Sequence, residues 1–399
     1  MVVNTEQDLH MVHIVDLRVI GGIERMAVAL IAATPNVRHT LVLFDKTTHP
    51  SLAKTLHALP QVQAIHSSKH WAGLRLPKSQ RHKRRVHLIA QSGANVVLNW
   101  SQVLDMRGIA LPIVFYEHGS AWENYTPEQL AHCYAPVHHC IAVSNAAKRM
   151  LQLHHHVQQP IHIVENTVFT KPSVATQART LPTGRLVLGA AGRLVARKNF
   201  AVLIHAVALL RAQQLDVVLH IAGTGPEQGV LQALVGQLGL QQQVQLLGYV
   251  QDMPAFYQQT DVFVCPSIWE SYGLVAIEAF AAGLPVVGAA TDGLPEVVGD
   301  GVNGVCVLPS LDATSFEQCM HMPASFAHDS AYQPQTDALT DQKSVKPEAL
   351  AQAIAGLLLH PETYQQMSQA ALNTALTIKS FQQLADAVVL SVKEAVHAN

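Results

Sequence analysis

A chain of 399 residues is longer than one ordinary hydrophobic core supports, so two domains are expected. Hydrophobic residues make up 49% and charged residues 14%, which excludes a disordered chain, and a formal net charge of −2 gives no global field toward nucleic acid. No apolar run approaches the ~20 residues of a membrane-spanning helix, and the first residues lack a signal-peptide pattern, so a cytoplasmic location is expected.

Short apolar runs alternate with amphipathic stretches along most of the chain, the pattern of a doubly wound α/β architecture. In the first half, Val12–Val15 reads as a strand, followed by Gly21-Gly22 and a helix from about Ile23 to Ala33. Thr40–Phe44, Val96–Asn99, Ile113–Tyr116 and Cys140–Val143 read as further strands. Between them, Lys78–Arg85 is the one basic cluster, either a solvated helix face or a patch for anionic lipid through Arg81, Lys83, Arg84 and Arg85. The polar segment 171–184 contains two prolines and reads as a linker between domains 1–170 and 185–377. A second series of strands begins at Leu186–Ala190 and continues through Val217–Ile221, Val244–Leu247, Val262–Val264 and Pro285–Gly288. Residues 311–346 show no clear period and read as a mobile excursion or insertion. The last stretch, about 378–399, is expected to be a helix that packs back on the first domain. Two Rossmann-like halves of this kind are expected to face each other across a cleft, a favoured place for a ligand.

The five cysteines, Cys133, Cys140, Cys265, Cys306 and Cys319, have no C-x-x-C spacing, so neither a disulfide framework nor a zinc site is expected. Functional chemistry concentrates instead at strand ends. Asp261–Ser267 reads as a strand and turn, and from Gly273 helical spacing runs to Ala282. Glu270 therefore lies in the loop and Glu278 roughly a turn and a half inside the helix. The free N–H groups at that helix start favour an anion between the two carboxylates. Taken alone, both read more simply as solvated surface glutamates. Gly192-Arg193-Leu194 and Lys198 follow another strand, where a guanidinium fork and an ammonium can meet a diphosphate. Gly223-Thr224-Gly225-Pro226 is a further turn. Glu117-His118-Gly119 closes a strand of the first half, and Gly21-Gly22 lets the backbone approach a ligand. The first βα unit lacks G-x-G-x-x-G, which disfavours an NAD-dependent oxidoreductase.

In order and type these junctions resemble the retaining GT-B glycosyltransferases of family 4. The resemblance rests on Gly21-Gly22, Glu117-His118-Gly119, Gly192-Arg193-Leu194 with Lys198, Gly223–Pro226, Gly248-Tyr249-Val250, Gly293-Leu294-Pro295-Glu296 and above all the E-x7-E of Glu270 and Glu278. It implies a metal-independent, retaining hexosyltransferase with no cofactor, using a nucleotide diphosphate sugar and in particular a UDP-sugar. By that resemblance Arg193 and Lys198 hold the diphosphate, Glu278 the ribose, and Glu270 a hydroxyl of the donor sugar. Ser271, Tyr272, Gly273 and Leu274, with Tyr249 and Val250, complete the donor contacts. Gly21 and Gly22 lie under the diphosphate, and His118 lies near the transferred sugar. A glycan or lipid-linked acceptor is implied, in cell-surface polysaccharide or lipopolysaccharide synthesis. The alternative is a catalytically silent sugar-nucleotide-binding subunit.

Overall fold

The computed structural model describes residues 9–45, 47–71, 73–169, 173–326 and 329–397. The chain divides into two compact units, 1–169 with 379–399, and 170–378.

The first unit is built on seven parallel strands. In chain order its strands are β1 (His10–Val15), β2 (Arg38–Leu43), β3 (Val62–Ser67), the small antiparallel hairpin β4 (His70–Trp71) and β5 (Leu74–Arg75), then β6 (Val96–Trp100), β7 (Ile113–Glu117), β8 (His139–Ala142) and β9 (Ile161–Ile163). The large sheet runs β3-β2-β1-β6-β7-β8-β9. Its central strands β1, β6, β7 and β8 are buried along their whole length, as parallel strands covered on both faces must be. Chain order reverses between β1 and β6, so this sheet has its switch point there. The helix Phe381–His397 closes the unit. Its Ser391 Oγ lies 2.9 Å from His139 Nε2, and Gln382 Nε2 donates to the Ala33 carbonyl at 3.2 Å.

Several histidines are buried in this unit, among them His13, His39, His139 and His155. His13 Nε2 lies 2.8 Å from His39 Nδ1, and Trp100 Nε1 donates to His13 Nδ1 at 3.0 Å. Burial lowers the pKa of both rings, that of His39 to about 4, so the pair is neutral at neutral pH.

The second unit carries six parallel strands: β10 (Leu186–Ala191), β11 (Val217–Ala222), β12 (Val244–Gly248), β13 (Val262–Cys265), β14 (Val286–Ala289) and β15 (Gly304–Val307), in the order β12-β11-β10-β13-β14-β15. The helix Phe200–Ala212 buries eight of its thirteen residues, among them Phe200, Leu203, Ile204 and Leu210, in the core of this unit. The order reverses between β10 and β13. In open α/β sheets a ligand site forms beyond the carboxyl ends of the strands flanking such a reversal.

The segment 311–346, read as a mobile excursion or an insertion, carries regular structure where it is described. It forms the helix Ala313–Met320 and an antiparallel hairpin of β16 (Ser330–Gln333) and β17 (Ala338–Asp341). Polar composition hid them, because a short hairpin on a unit's surface buries only one edge of its side chains. The segment read as a linker is likewise tied down where it is described. Arg179 donates to the carbonyls of Ala282 (2.8 Å), Thr260 (2.7 Å), Tyr257 and Gln258 (both 3.1 Å), and its amide donates to Ser368 Oγ. One guanidinium thus satisfies carbonyls at the ends of two helices. Arg179→Ala is expected to destabilise the second unit by about 3 kcal/mol, since charged hydrogen bonds contribute most and the carbonyls lose their donor. Trp269, the tryptophan of this unit, reports the loss as a lower denaturant midpoint; an unchanged midpoint contradicts it.

Candidate active site

The loops after β10 and β13 meet at the reversal in the second sheet. The first runs from Gly192 to Asn199, the second from Pro266 to Gly273. Further contacts join them besides the site pair itself. Ile268 N donates to Arg197 O at 2.8 Å, the Arg197 guanidinium carbon lies 4.4 Å from the Trp269 ring centroid, and buried Asn199 donates through Nδ2 to Pro266 O at 3.1 Å. The turn after β11 supports the first loop from below. Leu194 N donates to Thr224 O and Gly192 N to Ala222 O. A Cβ on Gly223 would lie 1.9 Å from the Gly192 carbonyl oxygen, and the residue has φ +141°, so only glycine fits.

At the centre Lys198 Nζ pairs with Glu270 Oε1, each side chain 14% exposed. Ser267 Oγ donates to the same carboxylate oxygen at 2.8 Å. Burial alone would raise the Glu270 carboxyl, but the Lys198 charge and the hydrogen bonds from Lys198 and Ser267 outweigh it and hold its pKa below the usual range. The neighbouring Cys265 thiol is pushed up to about 11 by burial, which makes it a poor nucleophile. Arg193 is exposed on the same loop as Lys198.

Glu278 lies on the helix Leu274–Ala281, where it accepts a 2.7 Å hydrogen bond from Tyr257 Oη. The Tyr257 phenol is buried and raised well above its ordinary value, first by burial and then by the Glu278 charge, so it remains a donor. Around the helix start Gly273 is buried, while Ser271, Tyr272 and Leu274 are half-buried. Tyr249 is 72% exposed just beyond β12, beside half-buried Val250.

Gly21, Gly22 and His118 belong to the other unit. Gly21 caps the helix Gly22–Ala33 after β1, next to that sheet's own reversal. His118 follows β7; its ring stacks on Trp100 (centroids 5.4 Å, interplanar 15°) and lies 4.1 Å from that of Tyr116. Burial lowers its pKa to about 3, so the imidazole is neutral. Its Nε2 and the Tyr116 hydroxyl are inaccessible to solvent and, among the described residues, find no hydrogen-bond partner. Such groups mark a place where a ligand or an ordered water supplies the missing bond.

Several roles escaped the sequence reading. Glu117 is fully buried; it accepts the Gly119 amide, Ser120 Oγ at 2.5 Å and the Ala121 amide at 3.1 Å, which shapes the turn carrying His118. Ser267 and Tyr257 hold the two key carboxylates, and Tyr257 stands 21 residues from its partner. A Ser three residues before a Glu is the one local hint.

The basic cluster needs a correction. Arg85 is buried, with Nη2 donating to the Asp105 carbonyl at 2.6 Å and its pKa lowered by that burial. Its guanidinium holds the loop before β7 and leaves any lipid-facing patch. Arg81 donates to the Leu76 carbonyl at 3.0 Å, while Lys83 is exposed. Among the described residues no helix is long and apolar enough to cross a membrane.

Two Rossmann-like parallel sheets, with cations and a Glu pair at the reversal of the second, define a GT-B type of protein. Two family patterns match: "Glycosyltransferase Family 4" over residues 20–171 and "Glycosyl transferases group 1" over residues 174–320. The chain belongs to the GT-B glycosyltransferases of family 4. Among curated relatives, a D-inositol 3-phosphate glycosyltransferase of Arthrobacter sp. (strain FB24) is 35% identical over 153 residues, 36% of each chain. The lipopolysaccharide core biosynthesis glycosyltransferase LpsE of Rhizobium meliloti (strain 1021) is 35% identical over 152 residues, 38% of this chain and 44% of that one. The match thus spans less than half the length of these relatives. Among solved structures, Anabaena Alr3699/HepE in complex with UDP and glucose has a similar fold, with a TM-score of 0.71 at 16% identity, covering 97% of this chain and 100% of that one.

Proposed function

We propose that the protein is a retaining, metal-independent glycosyltransferase that moves a sugar from a UDP-sugar to a hydroxyl of a cell-surface glycan or lipid-linked acceptor. The observation that carries this reading is the Lys198–Glu270 pair at the reversal of the second sheet, where both side chains are largely buried and come from separate strand ends. Lys198 and Arg193 are assigned to the donor diphosphate, Glu270 to a sugar hydroxyl and Glu278 to the ribose. In the proposed step the bond from the anomeric carbon to the phosphate oxygen breaks and a bond to the acceptor oxygen forms on the same face. The acceptor proton passes to the departing phosphate. Negative charge grows on the diphosphate as it leaves, and fixed cations with helix N–H groups stabilise it. Support for UDP comes from the Anabaena neighbour described with UDP and glucose, and for a lipopolysaccharide-like acceptor from the Rhizobium relative. The unit carrying Gly21, Gly22 and His118 is assigned the acceptor.

A panel of UDP- and GDP-sugars, followed by mass detection of released nucleotide diphosphate and NMR of the product's anomeric proton, tests this. Slow donor hydrolysis or transfer with retained configuration is expected. Inversion would overturn the retaining assignment, and donor binding without any turnover would favour the silent subunit.

The Tyr257 bond gives a finer expectation. Tyr257→Phe leaves the packing and removes one hydrogen bond, so UDP is expected to bind about fivefold more weakly. The penalty should shrink for 2′-deoxy-UDP, because the Glu278 contact it orients is already weakened there. Equal penalties for both nucleotides count against the ribose role.

An anionic membrane surface is proposed as the acceptor's setting, met by exposed residues of the first unit. Between Asp45 and Asp105 the sequence has nine Lys and Arg and no Asp or Glu. The β4–β5 hairpin exposes Trp71 (62%) and Leu74 (74%) beside Arg75 and the Lys78 end of the basic helix. Each basic residue near an anionic surface contributes roughly 1 kcal/mol, screened by salt. Pelleting with vesicles containing anionic lipid is expected, weaker at high salt and largely lost when Arg81, Lys83 and Arg84 become Gln. Pelleting that survives both changes rules the contact out.

A further inference from the structure

We infer that the β16–β17 hairpin positions the sugar-contacting end of the donor site. The hairpin and the turn after β14 exchange two hydrogen bonds: Asp292 N donates to Tyr332 O at 3.0 Å, and Tyr332 N donates to Asp292 Oδ1 at 2.8 Å. The other carboxylate oxygen of Asp292 accepts Thr291 Oγ1 at 3.1 Å, and the residue is fully buried with φ +51°. That backbone conformation is costly for a side-chain-bearing residue other than Asn or Asp, so the hairpin and the carboxylate together hold the turn in place. Directly after it, Gly293 N donates to Glu270 O at 2.9 Å. A Cβ on Gly293 would lie 2.3 Å from the Ser271 carbonyl oxygen, so the two backbones are in direct contact there. Leu294 reaches the same loop from the other side, its Cδ1 standing 2.7 Å from where a Gly273 Cβ would be. The chain of contacts therefore runs from hairpin to Asp292, to Gly293, to the Glu270–Gly273 loop.

The inserted segment also grips the first loop. Ser344 Oγ accepts Asn199 Nδ2 at 2.7 Å, and Asn199 is the residue after Lys198. The segment 311–346 thus fastens the loops of both members of the Lys198–Glu270 pair, although it contributes neither. Glu278 takes its 2.7 Å hydrogen bond from Tyr257, on the helix that precedes β13. Asp292 and Tyr332 are positioning residues, and their effect falls first on the loop that carries Glu270, and so mainly on the sugar.

This rests on the reading of Glu270 as a sugar contact, and the test separates the two claims. Wild type, Asp292→Gly and Asp292→Asn are titrated with UDP, UDP-glucose, UDP-galactose and UDP-N-acetylglucosamine. Gly accepts the positive φ but removes the carboxylate, whereas Asn keeps an acceptor oxygen. Asp292→Gly is expected to weaken binding of the preferred UDP-sugar about tenfold and to change UDP binding less than twofold. Asp292→Asn is expected to recover most of that loss, and should Asp292→Gly not fold, a smaller selective loss in Asp292→Asn carries the result. Equal weakening of UDP and UDP-sugar, or no change in either, overturns the hairpin's role. A wild type that binds none of these ligands overturns the functional reading, and the inference with it.

Discussion

Replacing Lys198 by Met is expected to lower kcat/KM by about 100-fold or more, the scale of removing one fixed donor to a developing oxyanion. The free protein shows why the effect reaches beyond lost phosphate binding. Lys198 is the cation that keeps the largely buried Glu270 carboxyl ionised. Without it, burial is opposed only by Ser267 and Arg197 and the carboxyl pKa rises, so the group assigned to the donor sugar is perturbed as well. Breaking a buried pair from one side costs about 3–5 kcal/mol, and the 14% exposure of both side chains places this pair at the lower end. A double variant, Lys198→Met with Glu270→Gln, separates the two consequences. Removing the stranded charge should restore most of the stability and none of the activity. A double variant as active as wild type would show that neither group takes part in transfer.

Acidification is the second large perturbation, and it acts on the first unit. His39, His139 and His155 are buried and each is lowered by burial to about 4. Their bonds suit neutral rings: His139 meets Ser391 Oγ, and His155 receives the Tyr134 hydroxyl at 2.9 Å while facing the Glu123 carbonyl at 3.0 Å. In the unfolded chain the same rings titrate near ~6.5. Below that pH the unfolded chain binds protons that the native chain does not, so stability falls as pH drops from ~6.5 and levels off near the folded value of about 4. At pH 5 each ring contributes about 2 kcal/mol of loss, and the three together roughly 4–6 kcal/mol. Denaturant titrations at pH 7.5 and pH 5.0, followed by fluorescence of Trp100 and Trp122, should show this unit's midpoint falling steeply. A midpoint that holds to pH 5 would mean the rings find proton acceptors, contrary to the neutral pairing of His13 with His39.

Much of the architecture was legible in the sequence because buried parallel strands write themselves as apolar runs. Val12–Val15, Ile113–Tyr116 and Val262–Val264 all lie within observed strands. The strands of the two large sheets that escaped, β3, β9 and β15, sit at sheet edges, where one side is unpaired and the sequence turns polar or short. The Glu270–Glu278 helix boundary was legible from Gly273 and the spacing that follows. The Lys198–Glu270 contact was not, because 72 residues separate the partners and only the sheet's strand order brings their loops together. Arg85 was misread for a related reason. A basic run says nothing of which member turns inward, and the Asp105 carbonyl that draws this one in lies 20 residues away. The fold of residues 311–346 was hidden because its anchors, Asp292 and Asn199, lie outside the segment itself.

Lys198 and Glu270 are proposed to build a nucleotide diphosphate site in the second unit. Isothermal titration of UDP and GDP into wild type and Lys198→Met tests it most directly. Wild type is expected to bind UDP more tightly than GDP, and the variant to lose at least tenfold for UDP while remaining folded. A folded wild type that binds neither nucleotide, or a variant that binds UDP as wild type does, would contradict it.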